Sequence, residues 1–139
     1  MQTGVEKKTE KFKENITRIT ELKKRLIEAE ISLLDIKRML NLSYYDWKKF
    51  LSGELREQER KVEELIDKVP SFIKDKDKEL KEFQKLLLEK GLRIKDVENK
   101  TKLNRNKIYR VIRKEHKERD TAAEKIIERV IGESNYFAR

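Results

Sequence analysis

Between residues 100 and 119 the chain carries nine basic side chains and two acidic ones. The basic set is Lys100, Lys102, Arg105, Lys107, Arg110, Arg113, Lys114, Lys117 and Arg119. A cluster of that sign has one obvious chemistry, which is neutralising the phosphates of a polyanion. Inside it, Arg105, Asn106, Tyr109 and Arg110 follow i, i+1, i+4, i+5 spacing, so a helix would show them on one face. An arginine fork matches the acceptor pair of guanine, and an asparagine amide matches adenine. Chemistry of other kinds finds no residues to carry it. The chain has no cysteine, which excludes disulfides, zinc-thiolate sites and thiol catalysis. Its single histidine, His116, reads as a solvated loop residue. Asp35 and Asp96 have no nucleophile partner, so capping or ion-pair roles are expected of them. Gly53, Gly91 and Gly132 read as helix stops, not as a phosphate loop. No catalytic residue, metal, cofactor or small-molecule substrate is expected.

The elements that must position the cluster are expected to be helical throughout. The 139 residues include 45% charged residues, four glycines and one proline, which argues against a turn-rich β sandwich or barrel. Charges of both signs are interspersed, as on solvated helix faces. No apolar run approaches a membrane span, and residues 1–15 carry no signal-peptide core. A soluble, cytoplasmic, all-α protein is therefore expected, with no membrane partner.

Shifting the sequence by 61 positions lays residues 22–69 on 83–130 without a gap. Leu22 meets Phe83, Leu26 meets Leu87, Ile36 meets Val97 and Leu42 meets Leu103. Trp47 meets Ile108, Phe50 meets Val111, Val62 meets Ala123 and Ile66 meets Ile127. Few positions are identical; the match of apolar positions carries the argument, because it means one buried pattern built twice. Pro70, followed by the N-capping residue Ser71, divides the copies into 1–69 and 70–139. Each copy should begin with a long amphipathic helix. In the first it carries Val5, Phe12, Ile16, Ile19, Leu22 and Leu26; in the second, over 72–90, it carries Phe72, Leu80, Phe83, Leu87 and Leu88. Short helices follow at about 32–40 and 93–101, then after Ser43 and Asn104, then at 56–69 and 120–131 with a stop at Gly132.

Two short helices joined by a tight turn, the second opened by Ser43 or Asn104, form a helix-turn-helix. The stretches Asn41-Leu-Ser-Tyr-Tyr-Asp-Trp-Lys-Lys-Phe-Leu-Ser-Gly-Glu54 and Leu103-Asn-Arg-Asn-Lys-Ile-Tyr-Arg-Val111 resemble the turn and recognition helix of the lambda-repressor and Cro-like DNA-binding proteins. The family's usual small residue at the helix crossing is replaced by Lys37 and Glu98. Its turn glycine is replaced by Asn41 and Lys102, and its opening polar residue by Leu33 and Ile94. The resemblance implies two tandem helix-turn-helix units of a five-helix plan. Base contacts are expected from Arg105, Asn106, Tyr109, Arg110, Tyr44, Tyr45 and Lys48. Phosphate contacts are expected from Asn104, Lys102, Lys107, Arg113, Lys114, Lys117, Ser43 and Lys49.

The halves differ in charge, net +2 for residues 1–69 and net +7 for 70–139, which concentrates polyanion binding in the second. Trp47 is expected in the core, while Tyr44 and Tyr45 divide between surface contact and ordinary packing. The function these features imply is a sequence-specific double-stranded-DNA-binding regulator of the small repressor type. Either one chain supplies both headpieces, or the second copy binds DNA while the first forms a homodimer. The competing class is a protein-binding helix-turn-helix module of a mobile element, such as an anti-CRISPR-type inhibitor of a host nuclease.

Overall fold

Helical periodicity governs the chain, and the broken stripe at Asp75-Lys76-Asp77 divides it. The computed structural model describes residues 4–115 and 118–138, with side chains from residue 10. The helices are α1 Gly4–Glu28, α2 Leu33–Leu40, α3 Tyr44–Leu51, α4 Arg56–Asp67, α5 Ser71–Lys74, α6 Lys78–Glu89, α7 Ile94–Thr101, α8 Arg105–Arg113 and α9 Thr121–Ile131. A 3-10 turn, Tyr136–Ala138, follows. The described residues contain no strand, and the fold is all-α.

Two compact units separate between Lys76 and Asp77. Pro70 and Ser71 open α5, which buries none of its residues and belongs to the first unit. Each unit has its own core. In the first, Ile19, Leu22 and Leu26 of α1 pack with Ile36, Trp47, Phe50, Val62 and Ile66. In the second, Leu80, Phe83 and Leu87 of α6 pack with Val97, Ile108, Val111, Ala123 and Ile127. Each residue of the first set stands 61 positions before its counterpart in the second, so the apolar repeat of the sequence is a repeat of buried positions. Trp47 is core, stacked on Phe50 with ring centroids 5.2 Å apart.

Side-chain caps open α2, α3, α8 and α9. Ser32 Oγ accepts the Asp35 N–H at 3.1 Å, and Ser43 Oγ accepts the Asp46 N–H at 3.1 Å. Asn104 Oδ1 accepts the Lys107 N–H at 2.8 Å, and Asp120 Oδ1 accepts the Ala123 N–H at 3.1 Å. Each satisfies one of the orphan donors at a helix N-terminus. The turn residues Asn41 (φ 49°) and Lys102 (φ 62°) both end their helices in the left-handed conformation. Asparagine tolerates this geometry, whereas the lysine Cβ is strained by it. Lys102→Gly is accordingly expected to stabilise the second unit by about 0.5–1 kcal/mol, net of glycine's larger unfolded-state entropy. Asn41→Gly should gain less in the first. Thermal melts of the two variants check the order.

Two expectations about the opening helices are corrected. The stripe of α1 is buried only from Ile19 onward; Phe12 is 56% and Ile16 45% exposed, because the first unit packs against the C-terminal half of this helix. The Val5 side chain lies outside the described ones. In the second unit no single long helix covers 72–90. The chain leaves α5 at Asp75 and re-enters α6 after Asp77, which sits at φ 51°. Short polar side chains favour such turns over helix continuation. Phe72 is left largely exposed.

Candidate nucleic-acid interface

The second unit holds α8 by its apolar face. Ile108, Val111 and Ile112 are buried, while Arg105, Asn106 and Arg110 stand exposed on the other side. Tyr109 differs from the expectation of a fully outward residue. It is half-buried against the core cluster, and the Arg113 guanidinium lies 5.8 Å from its ring centroid. Arg105 Nε donates to Glu98 Oε1 at 2.9 Å, so α7 orients a side chain that remains half exposed.

Carboxylates from elsewhere in the unit engage much of the basic cluster. Lys107 Nζ is 2.8 Å from Asp120, and Arg113 Nη2 is 3.2 Å from Asp77. Arg119 grips Glu124 with Nε and Nη2, both at 2.8 Å, and Nη2 reaches the Phe137 carbonyl at 3.4 Å. That clasp raises the Arg119 pKa above its ordinary value, chiefly through the hydrogen bond to Glu124. Lys100, Lys102, Arg110 and Lys114 are exposed and have no ion pair among the described residues. They border α8 at the turn before it, on its outer face and just after it. Asn104 and Ser43 are exposed, with their side-chain oxygens engaged in capping. Lys117, like His116, lies outside the described residues.

In the first unit, α3 presents Tyr44 and Tyr45, 70% and 69% exposed. Lys48 Nζ lies 5.3 Å from the Tyr44 ring centroid and Lys49 Nζ 4.6 Å from that of Tyr45. Both tyrosines are surface residues. Lys48 is exposed and Lys49 half-buried. Leu34 of α2 is also exposed.

Asp96 serves as a helix-capping residue: its carboxylate accepts the Arg93 N–H at 2.9 Å at the start of α7. That hydrogen bond, reinforced by the nearby Arg93 charge, holds its pKa below the usual carboxylate value. A carboxylate depressed on folding adds stability that is present above its unfolded pKa of about 4 and vanishes as pH falls through the lower folded value. Asp96→Asn should therefore weaken the second unit at pH 7 and flatten the acid limb of its stability below about pH 4. Urea melts at stepped pH test this.

Sequence reasoning missed a polar clasp in the first unit. Arg18 of α1 donates from Nε to Glu59 Oε1 at 2.6 Å, from Nη2 to Glu59 Oε2 at 3.1 Å, and from Nη2 to the Gly53 carbonyl at 2.7 Å. Its fourth hydrogen bond runs from Nη1 to Asn15 Oδ1 at 3.0 Å. Gly53 sits at φ +82°, where an added Cβ would lie 2.7 Å from the Asn15 Cβ, so only glycine lets α1 approach the turn after α3. The available signal was Glu59 itself, a carboxylate in helical register with buried Val62 and Ile66. Glu124 stands likewise with Ile127 and Ile131.

The described residues form two all-helical units that share a pattern of buried positions, and in the second, exposed cations with no ion pair among the described residues surround a short capped helix. No protein-family model, curated protein or solved structure matches the chain. Among the described residues, no helix is long and apolar enough to cross a membrane, and no group of His, Cys, Asp or Glu could hold a metal ion.

Proposed function

We propose that this chain is a sequence-specific double-stranded-DNA-binding protein, a small non-enzymatic transcriptional regulator of the repressor type. In this reading the two units are tandem helix-turn-helix modules of lambda-repressor-like plan. α8 enters the major groove, where Arg105, Asn106 and Arg110 meet base edges. Lys100, Lys102 and Lys114 meet the flanking phosphates, and the protein acts by covering its operator. The observation that carries the reading is the coincidence of hydrogen-bonding side chains on the free face of α8 with exposed cations at both of its ends that have no ion pair among the described residues.

Selection from random duplex DNA at physiological salt tests it. A defined consensus is expected. Binding to that site should weaken by about two orders of magnitude between 50 and 200 mM salt, the loss for roughly four neutralised phosphates. No enrichment refutes the proposal.

A second reading draws on the apolar exposure of Leu34, Tyr44 and Tyr45. Such a face suits a protein-binding module, for example an inhibitor of a host nuclease. In that case Arg105→Ala and Arg110→Ala would be silent, while changes at Tyr44 or Tyr45 would abolish function.

A further inference from the structure

We infer that one chain reads an asymmetric DNA site, the second unit taking an arm that contains guanine and adenine and the first taking an arm rich in thymine. This rests on the DNA-binding reading above and assigns a specificity role to Tyr44 and Tyr45.

α3 and α8 open on equivalent caps, Ser43 and Asn104, after equivalent left-handed turn residues, Asn41 and Lys102. They bury equivalent residues, Trp47 with Ile108 and Phe50 with Val111. If each unit docks in the same way, the positions of α3 that meet base edges are those equivalent to the outer face of α8. Those positions carry different chemistry. Arg105 corresponds to Tyr44, Asn106 to Tyr45, Tyr109 to Lys48 and Arg110 to Lys49.

The second unit thus offers two guanidinium forks and an amide, the groups that pair with guanine and adenine. The first offers no arginine on this face. It offers two tyrosines that are more than two-thirds exposed, so packing within the unit's core does not account for them. Lys48 and Lys49 lie against these rings and add positive charge beside them. In the major groove the apolar feature that distinguishes a base pair is the C5-methyl of thymine, and an aromatic ring is a natural contact for it. The charge difference agrees: the half with net +7 supplies most of the phosphate neutralisation, and the half with net +2 contributes mainly selectivity.

The experiment uses the full chain and the duplex obtained by selection, with uracil replacing thymine one position at a time in the thymine-rich arm. Uracil keeps Watson–Crick pairing and removes only the methyl. The consensus is expected to have two unlike arms. Each methyl that meets a tyrosine should cost about three- to fivefold in affinity, the value of burying one such group. The double variant Tyr44→Ala, Tyr45→Ala should bind weakly and lose the uracil effect, while Arg110→Ala should bind weakly and retain it. Both tyrosines are exposed, so a thermal melt unchanged from the parent chain confirms that the variant is folded. A palindromic consensus, a consensus of one arm only, or uracil-insensitive binding overturns the asymmetric reading and leaves DNA binding standing. No enriched duplex at all overturns both.

Discussion

Glu59→Ala is expected to destabilise the first unit by about 3 kcal/mol, the low end of the cost of removing one partner from a buried ion pair. Glu59 is 4% exposed and takes two hydrogen bonds from Arg18, whose side chain is 26% exposed. Donation to the Glu59 carboxylate is also what raises the Arg18 pKa above its usual value. Without the carboxylate, a guanidinium pinned to the Gly53 carbonyl and to Asn15 keeps its charge but loses its counter-charge. A unit of this size shifts its melting temperature by roughly 4–8 °C per kcal/mol, so the first unit should melt more than 10 °C lower. Glu124→Ala should cost the second unit less, because Arg119 is 66% exposed and rehydrates when its partner leaves. Arg18→Met combined with Glu59→Leu should recover most of the loss, since an apolar pair leaves no stranded charge. Calorimetry of the full chain separates these outcomes. Equal effects of Glu59→Ala and Glu124→Ala would rule out this account of the clasp.

The double variant Arg105→Ala, Arg110→Ala is expected to lose at least about thirtyfold in affinity for a selected duplex, from about 1–3 kcal/mol per base-reading arginine. Arg105→Ala should be the more damaging of the two. It removes the fork and also uncovers Glu98, whose carboxylate Arg105 holds at 2.9 Å, so a base contact is exchanged for an unpaired negative charge near phosphate. Arg110 has no such partner among the described residues, and its loss should relax specificity without adding repulsion. Lys102→Ala and Lys114→Ala should each lower the salt slope by about one and leave sequence preference intact. All four side chains are exposed, so stability should change by less than about 0.5 kcal/mol apart from the relief of backbone strain expected only for glycine at 102. Fluorescence anisotropy across salt concentrations gives both quantities. An unchanged affinity in the double arginine variant would remove the basis of the DNA-binding proposal.

Much of the helical plan was legible in the residues. The apolar positions recur with helical period and again at a distance of 61, so they specified two cores before any contact was known. Ser43, Asn104 and Asp120 announced helix starts because their side chains cap nearby backbone N–H groups, an interaction spanning three residues. Trp47 belonged to the core by register alone, and Arg105, Asn106 and Arg110 fell on the free face of α8 by the same logic. Of the candidate site, the identity of the outward side chains was readable, and their engagement was not.

The sequence by itself determined what depends on neighbours along the chain: helix type, register, caps and the sign of each half's charge. Tertiary structure decided what depends on distant partners. It left Phe12 and Ile16 exposed because the rest of the unit packs on the other half of α1, a fact no periodicity contains. It tied Arg113 to Asp77 and Lys107 to Asp120, so charges that look equivalent in a run of basic residues are not equivalent on the surface. The physical reason is range. Helical propensity and capping act over a few residues, whereas an ion pair or a buried face is fixed only when folding brings remote segments within a few ångströms.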